Sequence, residues 1–506
     1  MQHTIPSTLR ATARRVPDAD AVKFGDFTCT YAELDAEVDR TARVLSGLGL
    51  GRGDRFALMS TNSDRFIVAF YAALRVGAVF VPVNPASAPP ELQYLLADSG
   101  AKVLVYDVAL AATVDATRSD LPATTEHVLA LTAGTADPAL DELAGSAAEG
   151  EFPDVPMVSD LSLILYTSGT TGKPKGAFFD HAATMTVAVG CAATTGQKVG
   201  DRFLHVAPLY HAAELCIMLV PGTMVGAAHV VLPTFDPGVV LDTLERDRIT
   251  MMFGVPTMFQ YLLMSGLEKR NLTSLRTALF GAAPMPESSV VALTQTLPHV
   301  DLMQLCGQTE AGPGGIYSSV EQVKERPSAS GRQATMFCEV RVVDLDGNDV
   351  APGEVGEMIL RGSTIMKGYW NKPEETASTI VDGWLHTGDL TRLDEDGYMT
   401  LVDRLKDLII TGGRNVYSVE VEGAIAAHPN IVEAAVISKP HETFGESIVA
   451  VCTLAEGTEL TLAELKEFCA ERISSYKVPH ELVVAEIPRN PSGKVLKHQL
   501  RSAIIG

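Results

Sequence analysis

The stretch LYTSGTTGKPKGA, residues 165–177, is the most informative part of this sequence. From Thr167 to Gly176 it contains four hydroxyl side chains, three glycines, two lysines and one proline, and it follows the apolar run LSLILY at 161–166. Backbone N–H groups in a glycine-rich turn form a concave donor site for anions, and hydroxyls add further donors. The stretch therefore predicts a strand followed by a loop that binds a polyphosphate.

This loop differs from the GxxxxGK[ST] phosphate-binding motif. Thr167 stands where that motif requires glycine, and Lys173 is followed by Pro174, which offers no hydroxyl to a metal ion. An ordinary glycine-rich surface loop is the alternative. The combination of strand, hydroxyls, glycines and paired lysines favours phosphate binding.

Composition limits the class of protein. The chain has 506 residues, of which 46% are apolar, so two to four domains with a sizeable core are expected. The net charge of -22 argues against a nucleic-acid partner. Seven scattered cysteines without CxxC pairs argue against a disulfide framework or a zinc site. The N-terminus lacks an apolar signal region, and the most apolar segment, 215–232, is interrupted by Pro221, Gly222 and His229. We therefore expect no membrane partner and a cytoplasmic location.

Short apolar strands alternate with helical patterns in the first part of the chain. FALMS (56–60), VFVPV (79–83) and KVLVY (102–106) are separated by helices, one of which begins at the capping box Thr30–Glu33. Such strands favour parallel sheets covered on both faces. Strand-rich text with turn signals follows residue 330, and a small α/β unit follows DRLKD (403–407).

Seven motifs occur in a fixed order along nearly the whole chain: YTSGTTGKPKG (166–176), PLYH (208–211), GAAP (281–284), GQTE (307–310), GWLHTGDL (383–390), DRLKD (403–407) and PSGK (491–494). With these motifs the sequence resembles the AMP-forming acyl- and aryl-CoA synthetases of the adenylate-forming superfamily. The resemblance implies that a carboxylate attacks the α-phosphate of ATP, giving an acyl-adenylate and pyrophosphate. A thiol, usually that of CoA, then displaces AMP.

This chemistry joins two anions, so it needs cations and fixed dipoles. Glu310 offers the hard oxygen that suits Mg²⁺, and the resemblance adds Thr167 as a second metal ligand. The carboxylate of Asp389 can accept from both ribose hydroxyls. The alternatives are a solvated carboxylate for Glu310, a turn cap for Asp389 and a structural ion pair for Arg404. The resemblance implies these ATP- and AMP-binding residues: Thr167, Ser168, Gly169, Thr170, Thr171, Gly172, Lys173, Gly281, Ala282, Ala283, Cys306, Gly307, Asp389 and Arg404.

The resemblance assigns catalysis to Lys494, His211 and Thr309, with Thr309 on the α-phosphate. A Pro/Gly turn projects Lys494, whose compact ammonium can neutralise charge between the carboxylate and the phosphate. A plain surface lysine is the alternative.

The resemblance also implies a hinge, because in this family the C-terminal domain rotates about the position that matches Lys406. We therefore expect an α/β fold with a large N-terminal domain (1–402) of helix-covered, mostly parallel sheets plus a β-rich subdomain. A hinge (403–406) would connect it to a small mobile C-terminal α/β domain (407–506).

By the same resemblance, we expect the acyl pocket to be lined by His211, Glu214, Val255 and Gly281. We expect Gly412 and Gly413 to lie on the side where the acceptor thiol enters. For His211 the alternative is a core histidine. An unpaired buried carboxylate would be costly, so Glu214 either pairs with a substrate amine or finds water or an arginine.

Three positions depart from the family pattern: Cys306 replaces the usual tyrosine, Ser418 the usual proline and His480 a common lysine. The first removes an aromatic face from the adenine, and the others weaken the case for CoA.

We expect an ATP-dependent carboxylate–CoA ligase for an aryl, cinnamate- or benzoate-like, or medium-chain acid, using ATP, Mg²⁺ and CoA. The alternatives are a carrier-protein thiol as acceptor, or nitrite activation with an aryl amine acceptor. A non-catalytic nucleotide-binding regulator is opposed by Lys494, Glu310 and Asp389. Homodimerisation is left open.

Overall fold

The computed structural model describes residues 3–167, 173–489 and 495–505. Contacts divide these residues into two units. The first contains 3–167, 173–340 and 359–386, and the second contains 341–358, 387–489 and 495–505. A division by contacts does not locate a pivot, so the boundary at 402/403 and the hinge at 403–406 stay predictions.

The helices of the described residues alternate with strands through most of the chain. The α-helices are α1 (Ile5–Arg15), α2 (Tyr31–Gly47), α3 (Asp64–Arg75), α4 (Pro89–Ser99), α5 (Ala111–Thr117), α6 (Leu140–Gly145), α7 (His181–Thr195), α8 (Val220–Val225), α9 (Pro237–Arg246), α10 (Pro256–Met264), α11 (Glu287–Thr296), α12 (Val320–Glu325), α13 (Pro373–Thr379), α14 (Ser418–Ala426), α15 (Leu462–Ala470) and α16 (Lys497–Ile505). A π-helical segment, Glu214–Leu219, leads directly into α8.

The strands are β1 (Asp20–Phe24), β2 (Phe27–Thr30), β3 (Arg55–Met59), β4 (Val79–Val83), β5 (Val103–Tyr106), β6 (His127–Ala130), β7 (Leu161–Thr167), β8 (Lys175–Asp180), β9 (Arg202–His205), β10 (Ala228–Val231), β11 (Met251–Gly254), β12 (Thr277–Gly281), β13 (Asp301–Gly307), β14 (Gly315–Ser318), β15 (Gln333–Ala334), β16 (Cys338–Val343), β17 (Val355–Gly362), β18 (Gly368–Tyr369), β19 (Ile380–Val381), β20 (Trp384–Leu393), β21 (Met399–Arg404), β22 (Ile409–Thr411), β23 (Arg414–Val416), β24 (Ile431–His441), β25 (Gly445–Leu454) and β26 (Glu481–Val484).

One large sheet of the first unit has the order β15-β14-β13-β12-β11-β9-β10-β1-β2. Its strands from β13 to β1 pair in parallel. Leu204, Met252 and Phe280 pack against α9, α10 and α11. Their neighbours Phe203, Met251 and Leu279 pack with the π-helical segment on the other face. Burial on both faces explains why these strands are apolar at successive positions.

The second sheet of this unit has the order β18-β8-β7-β4-β3-β5-β6. Strands β7, β4, β3, β5 and β6 pair in parallel, and β8 pairs antiparallel to β7. The predicted strand at 161–166 is confirmed as β7, and the glycine-rich loop starts at its last residue, Thr167. The predicted capping box is confirmed, because the Thr30 and Glu33 side chains each accept from the other's backbone N–H.

The second unit is built around the sheet β23-β22-β25-β24, with β26 beside β25. Successive residues of β25 face opposite sides. Ile448 and Ala450 pack against residues of α14 and α15, whereas Val449 and Val451 pack with Leu500 of α16. This unit also contains the pairing of β20 with β21. No helix among the described residues is long and apolar enough to cross a lipid bilayer.

Candidate active site

Four predicted motifs follow neighbouring parallel strands. Strands β9, β11, β12 and β13 lie side by side. The chain leaves their carboxyl ends toward PLYH (208–211), at Val255, at Gly281 and at Gly307. In open α/β sheets, ligands bind outside the carboxyl ends of the strands. The structure thus brings these predicted site residues to one edge of the large sheet.

Two glycines at this edge permit a close approach of the backbone. A Cβ atom at Gly281 would lie 2.2 Å from the carbonyl oxygen of Leu305, and one at Gly307 would lie 2.1 Å from that of Gly314. Only glycine fits such contacts. Ala282, which follows, has a φ of 67°, a left-handed conformation that is strained for alanine. Ala282 and Ala283 are exposed, so a turn with small side chains lies at these predicted ATP- and AMP-binding positions.

Glu310 follows β13 of one sheet of the first unit and contacts two residues of the other sheet. Its Oε1 atom accepts hydrogen bonds from Thr167 Oγ1 at 3.2 Å and from the Tyr369 hydroxyl at 2.9 Å. Carboxylate and hydroxyl oxygens are hard donors of the kind Mg²⁺ prefers, so this donor set fits that ion. Thr309, half-buried beside Glu310, begins the 3₁₀ turn that carries both residues. Sequence reasoning missed Tyr369, because a single tyrosine in MKGYW has no diagnostic spacing.

Asp389 and Arg404 face each other across paired strands of the second unit. They are opposite residues of β20 and β21, and Arg404 Nε lies 2.6 Å from Asp389 Oδ1. The Asp389 amide donates to Thr387 Oγ1 at 3.0 Å, which fixes the backbone beside the carboxylate. The structural ion pair considered for Arg404 therefore exists. The ribose contacts of both residues stay predictions, and they are compatible with the pair because a carboxylate has two oxygens.

Lys173, at the end of the glycine-rich loop, is described by the structure, and its ATP-binding role stays a prediction. The ammonium of Lys173 lies 5.4 Å from the ring centroid of Tyr94, a cation–π distance. The assignments to Ser168, Gly169, Thr170, Thr171, Gly172 and Lys494 lie outside the described residues, and they stay predictions.

His211 follows β9 in the motif PLYH. Its ring centroid lies 4.5 Å from that of Tyr210, and its Nε2 atom is buried without a hydrogen-bond partner among the described residues. Burial lowers the pKa of His211 to about 4, so its imidazole is neutral near pH 7. A neutral ring can border an apolar substrate without carrying charge.

A cleft that is partly open to solvent lies beside Cys306 in the first unit. Most of its lining is apolar or glycine. The predicted pocket residues His211, Glu214, Val255 and Gly281 are not in that lining, and their pocket roles stay predictions. Among the described residues the lining is Val187, Gly190, Cys191, Thr194, Thr195, Ile217, Leu305, Cys306, Pro313, Gly314, Gly315, Ile316, Thr335, Met336 and Thr364.

Glu214 belongs to a buried polar chain that sequence reasoning did not find. Its Oε1 atom lies 2.5 Å from His205 Nδ1, His205 Nε2 lies 2.8 Å from His229 Nδ1, and His229 Nε2 lies 3.0 Å from Thr223 Oγ1. All four side chains are fully buried. One oxygen of Glu214 is thus paired with a histidine, which was not among the predicted alternatives of a substrate amine, water or an arginine, and its Oε2 atom has no hydrogen-bond partner among the described residues. The two histidines stand 24 residues apart on neighbouring strands, so no local pattern reveals their contact.

The predicted thiol-acceptor residues form a tight turn. Gly412 and Gly413 connect β22 to β23 with φ angles of 57° and 74°, as a two-residue hairpin turn requires. The Gly412 amide donates to the carbonyl of Phe444 at 2.8 Å, and the Phe444 ring stacks on His480 with centroids 5.8 Å apart. His480, one of the departures from the family pattern, therefore belongs to an aromatic stack next to this turn.

The predicted hinge residue Lys406 is exposed in the 3₁₀ turn Leu405–Asp407. Ser418, the second acceptor-side departure, donates through its hydroxyl to Asp403 at 3.0 Å and accepts from Lys497 at 2.6 Å. A proline at this position could make neither bond. The pivoting role of Lys406 stays a prediction.

Comparison with known proteins gives matches over the whole chain. The family model of AMP-binding enzymes matches residues 9–370, and that of the AMP-binding enzyme C-terminal domain matches residues 420–494. A feruloyl-CoA synthase of Amycolatopsis sp is 38% identical over 97% of this chain and 96% of its own length. A long-chain-fatty-acid–CoA ligase of Mycobacterium tuberculosis is 36% identical over 94% of this chain and 93% of its own length.

Solved structures agree with these matches. The o-succinylbenzoate CoA synthetase of Bacillus subtilis, in complex with its acyl-adenylate intermediate, is 30% identical and superimposes with a TM-score of 0.89 over 100% of this chain and 99% of its own. An ATP-bound enzyme of Rhodopseudomonas palustris, MatB, is 31% identical with the same TM-score of 0.89 over 99% of both chains.

Both family models and the full-length relatives establish the predicted reaction class. The protein is an enzyme that ligates an acid to CoA at the expense of ATP, through an acyl-adenylate, with ATP, Mg²⁺ and CoA as its cosubstrates and cofactor. The chain belongs to the AMP-forming acyl-CoA synthetase family of adenylate-forming enzymes.

Proposed function

We propose that the acid is a flat aromatic carboxylic acid, of the cinnamate or benzoate type, bound in the cleft beside Cys306. The carrying observation is the lining of this cleft, in which apolar side chains and glycines predominate. Small-molecule sites are lined mostly by apolar groups, so this lining suits the apolar body of an aromatic ring.

The names of the relatives support an aromatic acid. Besides the feruloyl-CoA synthase, an indoleacetate–CoA ligase of Aromatoleum aromaticum is 34% identical over 96% of both chains. The fatty-acid ligase of Mycobacterium tuberculosis keeps a medium-chain acid as the second candidate. Fold likeness alone carries no substrate, so the acid has to be measured.

In the first step, a carboxylate oxygen of the acid attacks the α-phosphorus of ATP, and the bond from that phosphorus to the pyrophosphate oxygen breaks. Glu310 and Thr167 would hold Mg²⁺, which neutralises phosphate charge when it is bound. Thr309 would donate to the α-phosphate, and Asp389 would hold the ribose. Lys494, a position known from the sequence alone, would neutralise charge between the two reactants.

In the second step, the thiol attacks the acyl carbon of the adenylate, loses its proton, and the bond to AMP breaks. Gly412 and Gly413 would border the entering thiol. The unusual Ser418 and His480 keep a carrier-protein thiol, or nitrite activation with an aryl amine acceptor, as second candidates for this step.

We also propose a cytoplasmic location, supported by seven free thiols, all within the described chain. A homodimer is left to a measurement of mass in solution.

A pyrophosphate-release assay tests this proposal. Cinnamic, benzoic and straight-chain acids are compared with CoA, without CoA, and with nitrite plus an aryl amine. We expect release with the aromatic acids and thioester formation only when CoA is present. Release with straight-chain acids alone would overturn the aromatic assignment, and product formation with nitrite but not CoA would overturn the acceptor.

A further inference from the structure

Pro221 disrupts the hydrogen bonding of the helical segment that borders the cleft. In α-helical geometry the carbonyl of Ile217 accepts from residue 221, which is proline and has no N–H. The preceding turn is widened into the π-helical segment Glu214–Leu219, in which the Val220 amide donates to Leu215, five residues back. Such widened turns occur often at functional sites.

Side chains from α7 and the residues after it satisfy the freed carbonyl. Gln197 Nε2 donates to Ile217 O at 3.1 Å, and Cys191 Sγ donates to the same atom at 3.4 Å. Gln197 is buried, so this pairing replaces a backbone bond inside the protein. A buried carbonyl left without a hydrogen bond would destabilise the folded protein.

The buried polar chain holds the other end of the widened turn. Burial raises the pKa of Glu214 well above its usual value and lowers that of His205 to about 3, so the side chains of the buried polar chain are uncharged. In that form each of the three hydrogen bonds can have one donor and one acceptor, with all three running in the same direction along the polar chain. Thr223 lies in α8, which continues from the widened turn, so the chain anchors both parts of this helical segment to strands β9 and β10.

A glycine makes room for this anchor. A Cβ atom at Gly222 would lie 2.7 Å from His229 Cε1 and 2.8 Å from the Phe203 ring. The helix therefore packs directly on the histidine ring. Because the packing is close, a shift of the histidine should displace the helix as well.

The widened turn forms part of the cleft wall. Ile217, whose carbonyl is bonded by Gln197, lines the cleft, and so does Cys191. We propose that Glu214 and Gln197 are positioning residues for acid selectivity: they hold the widened turn so that Ile217 and Cys191 close the cleft to acids larger than a flat aromatic ring. This inference rests on the proposed function, because it takes the cleft as the acyl site.

The test compares acid preference across four variants. The ratio of kcat/KM for dodecanoic acid to that for a hydroxycinnamic acid is measured by pyrophosphate release. Glu214→Leu leaves the Nδ1 atom of His205 without its partner, and Gln197→Leu leaves the Ile217 carbonyl without its amide donor. Each should raise the ratio roughly tenfold or more, chiefly through KM for the long acid, since about one methylene of pocket space has this effect. Glu214→Gln can still donate to His205 and should keep the wild-type ratio.

The matched control is His181→Leu. His181 is also buried in the first unit, and its Nδ1 accepts from the Ile5 amide at 3.3 Å, but it does not line the cleft. It should lower the melting temperature and leave the ratio unchanged. If Glu214→Leu does not fold, Gln197→Leu, which leaves the polar chain intact, carries the test.

Unchanged ratios in Glu214→Leu and Gln197→Leu would overturn the inference, as would an equal shift in His181→Leu. A shift in Glu214→Gln as large as in Glu214→Leu would overturn the hydrogen-bond assignment. If the wild type activates no aromatic acid, the proposed function fails, and the variants are then compared on the preferred acid and one longer by several carbons.

Discussion

Thr167 Oγ1 donates to Glu310 Oε1 at 3.2 Å, although the two residues are 143 positions apart. Thr167 is the last residue of β7 in one sheet, and Glu310 follows β13 of the other. The contact therefore brings the start of the glycine-rich loop to the predicted metal-binding carboxylate. Tyr369 donates to the same oxygen at 2.9 Å and orients it.

Replacing Glu310 should impair the magnesium-dependent step. Glu310→Ala removes the one carboxylate in this donor set, so we expect adenylation to fall by about 10²-fold, the scale for one charge-stabilising group. Pyrophosphate release across a magnesium titration measures this, and the residual activity should need more Mg²⁺.

Tyr369→Phe is the control for Glu310→Ala. It removes one hydrogen bond but keeps the carboxylate, so its Mg²⁺ requirement should stay near that of the wild type. An unchanged magnesium requirement in Glu310→Ala would contradict the metal assignment.

Asp389 should determine whether the enzyme distinguishes ATP from 2′-deoxy-ATP. The wild type is expected to lose efficiency with 2′-deoxy-ATP, because one hydroxyl donor to the carboxylate is absent. Asp389→Ala should raise KM for ATP and make ATP and 2′-deoxy-ATP nearly equal. Steady-state kinetics with both nucleotides measure the difference, and a variant that still discriminates as the wild type does would rule out this role.

Lys494 should act in one half-reaction. Lys494→Ala is expected to lower adenylation by roughly 10²–10³-fold, because one compact charge between two anions is lost. Thioester formation from chemically prepared acyl-adenylate should survive. Single-turnover assays separate the two steps, and equal losses in both would refute the assignment.

Buried histidines should make stability depend on pH. Burial lowers the pKa of His181 and His211 to about 4, and that of His205 to about 3, from an ordinary 6.5. Between the folded and unfolded pKa values, the unfolded chain binds protons that the folded chain does not. The contribution of the neutral histidines to the free energy of unfolding is therefore complete above about pH 6.5. It should decline as the pH falls toward 4, by up to about 1.4 kcal/mol per pH unit for each proton.

Urea unfolding at several pH values between 7 and 5 measures this dependence. His181→Gln should have a shallower slope than the wild type, because one depressed pKa is removed. A slope in His181→Gln as steep as that of the wild type would contradict the assignment of a neutral, buried His181 ring.

Local sequence patterns predicted the features that arise from short-range rules. Apolar runs such as VFVPV became buried parallel strands, and the Thr30–Glu33 box caps its helix. The motifs at PLYH, Gly281 and Gly307 converge because the carboxyl ends of parallel strands meet at one edge. The position of these motifs at one edge could thus be expected from the order of strands and helices, whereas the roles of their residues come from the family resemblance and stay predictions.

Features that depend on distant contacts could not be predicted. Pro221 and Gly222 were expected to interrupt the apolar segment 215–232, but the helix continues through them to Val225. Pro221 lies in the first turn of α8, where proline is tolerated, and Gln197, about twenty residues earlier in the chain, bonds the carbonyl that the proline leaves free. The pairing of Glu214 with His205 has the same origin, since folding brings β9 and the widened turn together.

Oxygen transfer tests the central claim most directly. A hydroxycinnamic acid labelled with ¹⁸O in its carboxylate is converted to its CoA thioester, and the released AMP is analysed by mass spectrometry. If a carboxylate oxygen attacks the α-phosphorus, one ¹⁸O atom must appear in the phosphate of AMP. Unlabelled AMP, or label in ADP or inorganic phosphate instead, would contradict the account.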